Sequence, residues 1–362
     1  MILKKLLLIL NCLVITLAAV ASNKSVNGIY YDFDKSSRQA TVTYRGLTYD
    51  TYPNEYWGRI TIPSTVVYGG IVYQVTAISE GAFRGCHSLR DVVIPKSVVS
   101  IGMFAFKETA MERDKSCWVD GIMYVSQCVV DALYDKVPEQ VVLRSDTRLI
   151  ADYAFAECEN LEHIQLPDNL LSIGKMAFAL CTALQEISIP KHVTRIQELT
   201  FFACLKLRKI VIPASVTTIE YGTFGGCRML DSVIIESGNK NYIVEDGVIF
   251  TRDMTTLVAY PAGLKNTTYN VPNGVRQIGG WAFEAAERLN TVVLPNDLKF
   301  ILVGAFTGCE SLSQVVLPKS LDLIADDAFV RCFALKTLRI PATTKIAEHI
   351  GEPELNIVRV KK

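Results

Sequence analysis

The strongest constraint on the fold is a segment of 23 residues that recurs along most of the chain. Ile150, Ile173, Ile196 and Ile219 are each 23 residues apart, and an Ala-Phe or Thr-Phe pair follows each of them at the same distance. Further copies of the pair are Ala82-Phe83, Ala282-Phe283, Ala305-Phe306 and Ala328-Phe329. A fixed period of this length is typical of a solenoid, because one coil cannot bury its own apolar face and stacked coils can.

Each repeat divides into a strand and an arc. Val92 and Ile94 alternate with period two, which predicts a short strand, and Pro95 ends it because proline has no N–H to donate. In the Ala-Phe-x-x-Cys-x-x-Leu part the apolar residues are three apart, which predicts a helical or 3₁₀ arc. We therefore predict an α/β leucine-rich-repeat solenoid with a parallel strand sheet on one face, helical or 3₁₀ arcs opposite, and an N-terminal β cap.

Two inserts interrupt the repeat and share one design. Each contains an Asp-Gly turn signal, Asp120-Gly121 or Asp246-Gly247, followed by apolar residues, so each is predicted to form a β-hairpin. The repeat resumes after both, and we expect its strands to form one parallel sheet through them. The predicted organisation is a signal peptide at 1–21, a β-rich cap at 22–77, the solenoid at 78–345 with inserts near 110–140 and 237–268, and a C-terminal cap or tail at 346–362.

The N-terminus is typical of a secretory signal peptide. Lys4 and Lys5 precede an almost wholly apolar stretch, and small residues predict cleavage after Ala21. Asn11 precedes Cys12 where a lipoprotein signal needs a small residue, which argues against lipid attachment. No other apolar stretch is long enough to cross a bilayer. We expect a secreted or cell-surface protein with no transmembrane segment in the mature chain.

Composition and motifs exclude several classes of function. Lys+Arg and Asp+Glu number 37 each, so no excess of positive charge attracts a polyanion, and we expect no nucleic-acid partner. Nucleophile-elbow, zinc-helix and phosphate-loop motifs are absent from the sequence. We therefore expect no enzyme activity, no catalytic residues, no cofactor and no metal site.

Seven cysteines occupy one position of the repeat, which predicts a column of small buried side chains. They are Cys86, Cys158, Cys181, Cys204, Cys227, Cys309 and Cys332. Ala286 and Thr109 fill the same position in other repeats, which favours packing over metal binding. Cys117 and Cys128 flank the first hairpin instead, and they are candidates for a cross-strand disulfide in an exported protein.

The repeat resembles that of the BspA-like leucine-rich-repeat family of bacterial secreted and cell-surface proteins. Ile173-Gly174, Ala177-Phe178, Cys181, Leu184 and Ile189-Pro190 fit the family pattern position by position. The resemblance extends from about Ile60 to Pro341. It implies a curved solenoid, export to the cell surface and binding roles such as adhesion to host or neighbouring-cell proteins, and it implies no catalytic residue.

The outward positions of the stacked strands are the candidate binding face, because only there do several coils present side chains in a contiguous, rigid array. The candidates are Val93, His163, Gln165, Glu186, Ser188, Lys209, Val211, Ile234, Val293, Val316 and Arg339. The β-branched residues among them are consistent with strand propensity alone or with an apolar interface. We expect a non-catalytic protein-binding module.

The alternative is a carbohydrate-binding or envelope-scaffolding protein. Sugars stack on exposed aromatic rings, which the strand columns lack. The aromatic residues of the cap and first insert are the candidates for a glycan partner: Tyr49, Tyr52, Tyr56, Trp57, Trp118 and Tyr124.

Overall fold

A computed structural model describes residues 24–360. The predicted signal peptide, its cleavage site and Cys12 lie outside the described residues, as do the last two lysines. The chain forms two compact units, one comprising 24–98 and 104–114 and the other 99–103 and 115–360.

The first unit is mostly β-structure. Its elements are β1 (Ser25–Val26), β2 (Ile29–Asp34), β3 (Gln39–Thr43), β4 (Gly58–Thr61), β5 (Thr65–Tyr68), β6 (Ile71–Ile78), β7 (Leu89–Val93) and the one-turn helix α1 (Ala110–Arg113). Five strands form a sheet in the order β1-β2-β3-β6-β5, and β4 pairs in parallel with β7. Tyr56 is buried beneath them, where its hydroxyl donates to the carbonyl of Thr43 at 2.6 Å and its ring lies 5.0 Å from that of Phe83.

The second unit is a β-solenoid of the leucine-rich-repeat type, and one strand of each coil lies on a surface that we call the strand face. The first strand of this unit is β8 (Ser100–Ile101), which is not part of the strand face. The strands of the strand face are β12 (Gln140–Val142), β14 (His163–Gln165), β16 (Glu186–Ser188), β18 (Lys209–Ile212), β20 (Ser232–Ile235), β24 (Thr268–Asn270), β26 (Thr291–Val293), β28 (Gln314–Val316), β30 (Thr337–Pro341) and β32 (Asn356–Val360). Neighbouring strands are parallel, and paired residues such as Glu186 and Lys209 are one repeat apart.

A second ladder of two-residue strands follows the strand-face strands other than β20 and β32. It consists of β13 (Leu149–Ile150), β15 (Ser172–Ile173), β17 (Arg195–Ile196), β19 (Thr218–Ile219), β25 (Gln277–Ile278), β27 (Phe300–Ile301), β29 (Leu323–Ile324) and β31 (Lys345–Ile346). The recurring isoleucine ends each of these strands and is buried in all of them except β31, where Ile346 is half-buried.

Both inserts form three-stranded antiparallel meanders. The first is β9 (Trp118–Val119), β10 (Ile122–Val125) and β11 (Cys128–Ala132), and the second is β21 (Tyr242–Glu245), β22 (Val248–Thr251) and β23 (Thr256–Ala259). Asp120-Gly121 and Asp246-Gly247 form the two-residue turns, with both residues of each pair at positive φ as such turns require. The last strand of each meander pairs in parallel with the second ladder, β11 with β13 and β23 with β25.

The strand face is not one sheet, contrary to the sequence-based prediction. In the second unit it divides into β12-β14-β16-β18-β20, β24-β26-β28 and β30-β32. The second insert separates the first two groups because it joins the second ladder rather than the strand face. Asn239 holds the insert against the preceding coil, donating from Nδ2 to the carbonyls of Pro213 (3.2 Å) and Val216 (3.0 Å).

The arcs are turns, so the prediction of helical or 3₁₀ arcs is wrong. In the described residues regular helix is confined to α1 and one 3₁₀ turn at Lys115–Cys117. The arc around Phe178 has Met176 and Leu180 at positive φ, a conformation that interrupts any right-handed helix. Its amides bond the next coil instead: the N–H of Phe178 donates to the carbonyl of Thr200 at 2.9 Å, and that of Leu180 to Phe202 at 2.7 Å.

The core of the second unit consists of stacked columns. Phe155, Phe178, Phe201 and Phe224 stack with centroid separations of 5.3, 5.7 and 6.1 Å. A second phenylalanine stack follows the second insert: Phe283, Phe306 and Phe329. Leucine and isoleucine columns flank both stacks and are equally buried. These columns hold successive coils in register and make the outward side of the strand face a rigid surface.

Candidate binding face

The outward side chains of the strand face lie in columns set by the strand register. One column joins His163, Glu186, Lys209 and Ser232 as successive Cα partners, so the two central residues place opposite charges side by side. His163 is half-buried, whereas Glu186 and Lys209 are exposed. Neighbouring parallel strands are about 4.8 Å apart, so these side chains can form one continuous polar stripe.

The second column contains the apolar candidates, which the structure separates into two pairs. Val211 pairs with Ile234 on β18 and β20, and Val293 pairs with Val316 on β26 and β28. Ile234 and Val316 are 45% and 51% exposed, values that are high for β-branched residues on a sheet. The four apolar candidates therefore do not form one continuous strip, because the two pairs belong to different sheets.

Two members of this column were missed from the sequence because they lie where the repeat resumes after an insert. Val142 on β12 pairs with Gln165 and is 75% exposed. Asn270 on β24 pairs with Val293 and places a polar residue at the edge of the second apolar pair. Their spacing from the next repeat, 23 residues in each case, is the signal that could have found them.

Three candidates lie at the margins of this arrangement. Ser188 pairs with Val211 and is exposed, which places it beside the first apolar pair. Arg339 is exposed on β30 and pairs with Val358 of β32. Val93 belongs to the first unit, where it is half-buried on β7 and pairs with Thr61.

On the opposite side of the coils, many charged side chains form ion pairs. Lys175 contacts Glu198 at 3.0 Å, Arg331 contacts Glu310 at 2.8 Å, and Arg195 pairs with Glu220. Such exposed pairs stabilise a protein by about 0–1 kcal/mol each.

The cysteine column is part of the core. The thiols of Cys181, Cys204, Cys227, Cys309 and Cys332 each donate to the carbonyl of a phenylalanine in the preceding coil at 3.0–3.1 Å. Burial raises the pKa of the Cys158 thiol to about 12 and that of Cys181 well above its usual value. A thiol that resists ionisation is a poor nucleophile and a poor metal ligand.

The topology argues against a bridge between the two insert cysteines. Cys128 begins β11 and faces Val125 of β10, whereas Cys117 precedes β9. Because β10 lies between β9 and β11, the cysteines do not lie on neighbouring strands. Their expected cross-strand arrangement is therefore wrong, and a disulfide between them stays an untested prediction.

Groups that could perform chemistry are scattered. Within residues 24–360 no cluster of three His, Cys, Asp or Glu side chains could hold a metal ion. The described part of the chain also has no helix long and apolar enough to cross a membrane. Glu284 is half-buried, with its Oε2 enclosed by protein, and desolvation raises the pKa of its carboxyl group to about 8. Its Oε2 has no hydrogen-bond partner.

Comparison with known families agrees with this architecture. Residues 60–114, 131–250 and 262–351 match the BspA type leucine rich repeat region in six copies. This chain belongs to the BspA-type leucine-rich-repeat family. The sequence-based identification is confirmed, and this family of repeat scaffolds implies a protein-interaction module.

Several solved structures are similar to this BspA-type chain. A leucine rich cell surface protein from Faecalibacterium prausnitzii is 23% identical over 93% of this chain and 94% of its own, with a TM-score of 0.48. The pneumococcal vaccine antigen PcpA is 20% identical over 94% of this chain and 82% of its own, with a TM-score of 0.47. A leucine rich repeat protein from T. pallidum is 21% identical over 86% and 90%, with a TM-score of 0.27. No curated protein matches the sequence.

Proposed function

We propose that this protein is a non-catalytic binding module, exported or held at the cell surface, that adheres to proteins of a host or of neighbouring cells. The observation that supports this proposal best is the exposure of Ile234, Val293 and Val316 on hydrogen-bonded parallel strands, where the half-buried Val211 lies beside Ile234. Exposed apolar patches bordered by polar residues are typical of protein interfaces. The stacked core beneath them holds the residues in place before a partner arrives, which reduces the entropy lost on binding.

The domain assignments complete this proposal. Residues 1–21 direct export and are removed after Ala21, and no lipid is attached. Residues 22–77 cap the first coil, which is supported by the pairing of β4 with β7. The solenoid at 78–345 carries the binding face, and 346–362 close its other end, which is supported by the pairing of β32 with β30.

The proposal is tested by capturing a partner with the mature protein and measuring its affinity for surface variants. Val211→Glu with Ile234→Lys alters the first apolar pair, and Val293→Glu with Val316→Lys alters the second. Disrupting a hot spot weakens the free energy of binding by about 2 kcal/mol or more, whereas surface substitutions change the free energy of unfolding by only about 0.5 kcal/mol. We expect at least one double variant to lose affinity while remaining folded.

The matched control is Leu205→Lys with Tyr221→Glu. These residues are 40% and 49% exposed but lie away from the strand face. If this control loses binding while both strand-face variants bind normally, the recognition surface does not lie on the strand face.

Carbohydrate binding is the second candidate because the first unit exposes aromatic side chains. Trp57 is 71% exposed and Tyr52 is 40% exposed. Tyr56 and Tyr124 are buried, which removes them from the candidate glycan contacts. A glycan array probed with the mature protein and with Trp57→Ala distinguishes this function from protein binding, since only a glycan site there would depend on Trp57.

A further inference from the structure

The second of the two divisions of the strand face lies between β28 and β30. These strands belong to successive coils, yet β28 pairs with β26 and β30 pairs with β32. Throughout residues 24–360, no main-chain hydrogen bond joins β28 to β30. The same coils remain packed elsewhere, since Phe306 and Phe329 stack at 5.2 Å and β29 pairs with β31. The coils therefore separate only at the strand face.

The opening forms a cleft of about 490 Å³ that reaches the core. This volume lies within the range of roughly 300–1,000 Å³ typical of ligand sites. Its floor includes Val315 and Leu317, which are half-buried. Residues at the position of Val315 in other coils are buried, as Ile210, Val292 and Leu338 are. An apolar side chain placed over Val315 would complete the column that the opening interrupts.

The rim of the cleft is cationic. Lys319 and Arg339 line it and are exposed, and the lining contains no Asp or Glu. Neither cation takes part in an ion pair within the described part of the chain, in contrast to Lys175 or Arg331 on the opposite side. Thr337 and Thr343 add polar groups beside them. A ligand with alternating apolar and acidic groups would satisfy both the floor and the rim.

We propose that this cleft binds an extended acidic segment of a partner protein as an added strand between β28 and β30. Both strands present unpaired main-chain edges, and edge strands readily accept a further strand. Alternate side chains of the added strand point in opposite directions, so apolar residues reach Val315 while acidic residues meet Lys319 and Arg339. The inference rests on the proposed function and names the kind of partner that the strand face recognises.

The probe is a fluorescein-labelled peptide of seven residues that alternates glutamate and valine, titrated with the full mature protein. Fluorescence anisotropy measures its affinity. A peptide with lysine in place of glutamate tests the charge preference. A third peptide, N-methylated at alternate residues, keeps the charges but cannot donate the main-chain hydrogen bonds of an added strand. We expect the acidic peptide to bind and the other two to bind at least about tenfold more weakly.

The protein variants locate the site. Lys319→Glu with Arg339→Glu should weaken binding of the acidic peptide by about tenfold or more, because it replaces attraction by repulsion. Lys191→Glu is the control, since Lys191 is exposed and follows Pro190 as Lys319 follows Pro318, but the strand of its coil, β16, is paired on both sides. This change should alter affinity by less than about twofold.

Three outcomes would overturn this inference: no binding at about 1 mM protein, equal binding of the N-methylated peptide, or unchanged affinity in the double variant. None of them would affect the test of the two apolar pairs, because the peptide assay requires no natural partner.

Discussion

Gly225 and Glu284 compete for one space, because Oε2 of Glu284 lies where a side chain on residue 225 would place its Cβ. Both follow the recurring phenylalanine of their coils, at the position that Ala156 and Ala179 occupy elsewhere. A side chain on residue 225 would therefore force the Glu284 carboxyl group to move, whereas the backbone conformation of Gly225 does not itself call for glycine.

Gly225→Ala should lower the free energy of unfolding by about 1–3 kcal/mol, the usual cost of overfilling a packed core. In a Glu284→Ala background the same change should cost under about 1 kcal/mol, because the obstructing carboxyl group is gone. Urea unfolding of the four proteins at pH 5 measures the coupling. Equal costs in both backgrounds would mean that the two side chains do not compete.

Glu284 should make stability depend on pH. Burial raises its pKa to about 8, although Arg331 and Arg228 oppose the shift. The folded state therefore holds the proton more tightly than the unfolded state, in which a glutamate titrates near 4.5. Its favourable contribution is complete below about pH 4.5 and is lost as the pH rises through 8.

Glu284→Gln removes this titration. The stability of the wild type relative to this variant should fall by an amount on the order of 4 kcal/mol between pH 5 and pH 8.5. Thermal and urea unfolding of both proteins across this range measure the difference. Parallel pH profiles would show that the folded carboxyl group titrates normally.

Phe178→Ala should lower the free energy of unfolding by about 3–5 kcal/mol, because the ring is wholly buried between Phe155 and Phe201. Hydrogen exchange should accelerate in the two adjoining coils, since each repeat is stabilised by its neighbours. Phe333→Ala is the control, because that ring is 50% exposed and its loss should cost about 0.5 kcal/mol or less. A cost below about 1 kcal/mol for Phe178→Ala would exclude the column as core.

The repeat cysteines should be reduced and protected. In the native protein we expect the half-buried Cys117 to react with a thiol reagent faster than the seven column cysteines, because the column cysteines are buried and shielded from the reagent. Denaturation without reductant should release at least about seven reactive thiols. Fewer than about five would mean that the column forms disulfides.

Much of the solenoid could be predicted from the sequence. The recurrence of Phe155, Phe178 and Phe201 is enough to predict stacked coils, because residues at a fixed period must occupy equivalent places. The alternation at Ile187 and Ile189 predicts a strand with an apolar inner face. The prediction of helical arcs is wrong because a spacing of three between apolar residues does not by itself distinguish a helix from a run of turns. Gly222 and Gly226, four residues apart and both at positive φ, carried the contrary signal.

The sequence alone determined the family, the period of the repeat, the buried phenylalanine and cysteine columns and the position of both inserts. Each of these depends on a local pattern that is repeated many times along the chain. Only the tertiary structure decided that the second insert joins the second ladder, that Ile234 and Val293 belong to different sheets, and that a cleft opens between Val316 and Arg339. These features depend on how neighbouring coils pair, and main-chain pairing between strands is set by contacts more than twenty residues apart. The sequence of one repeat determines the conformation of its own coil, whereas the opening depends on how two successive coils pair.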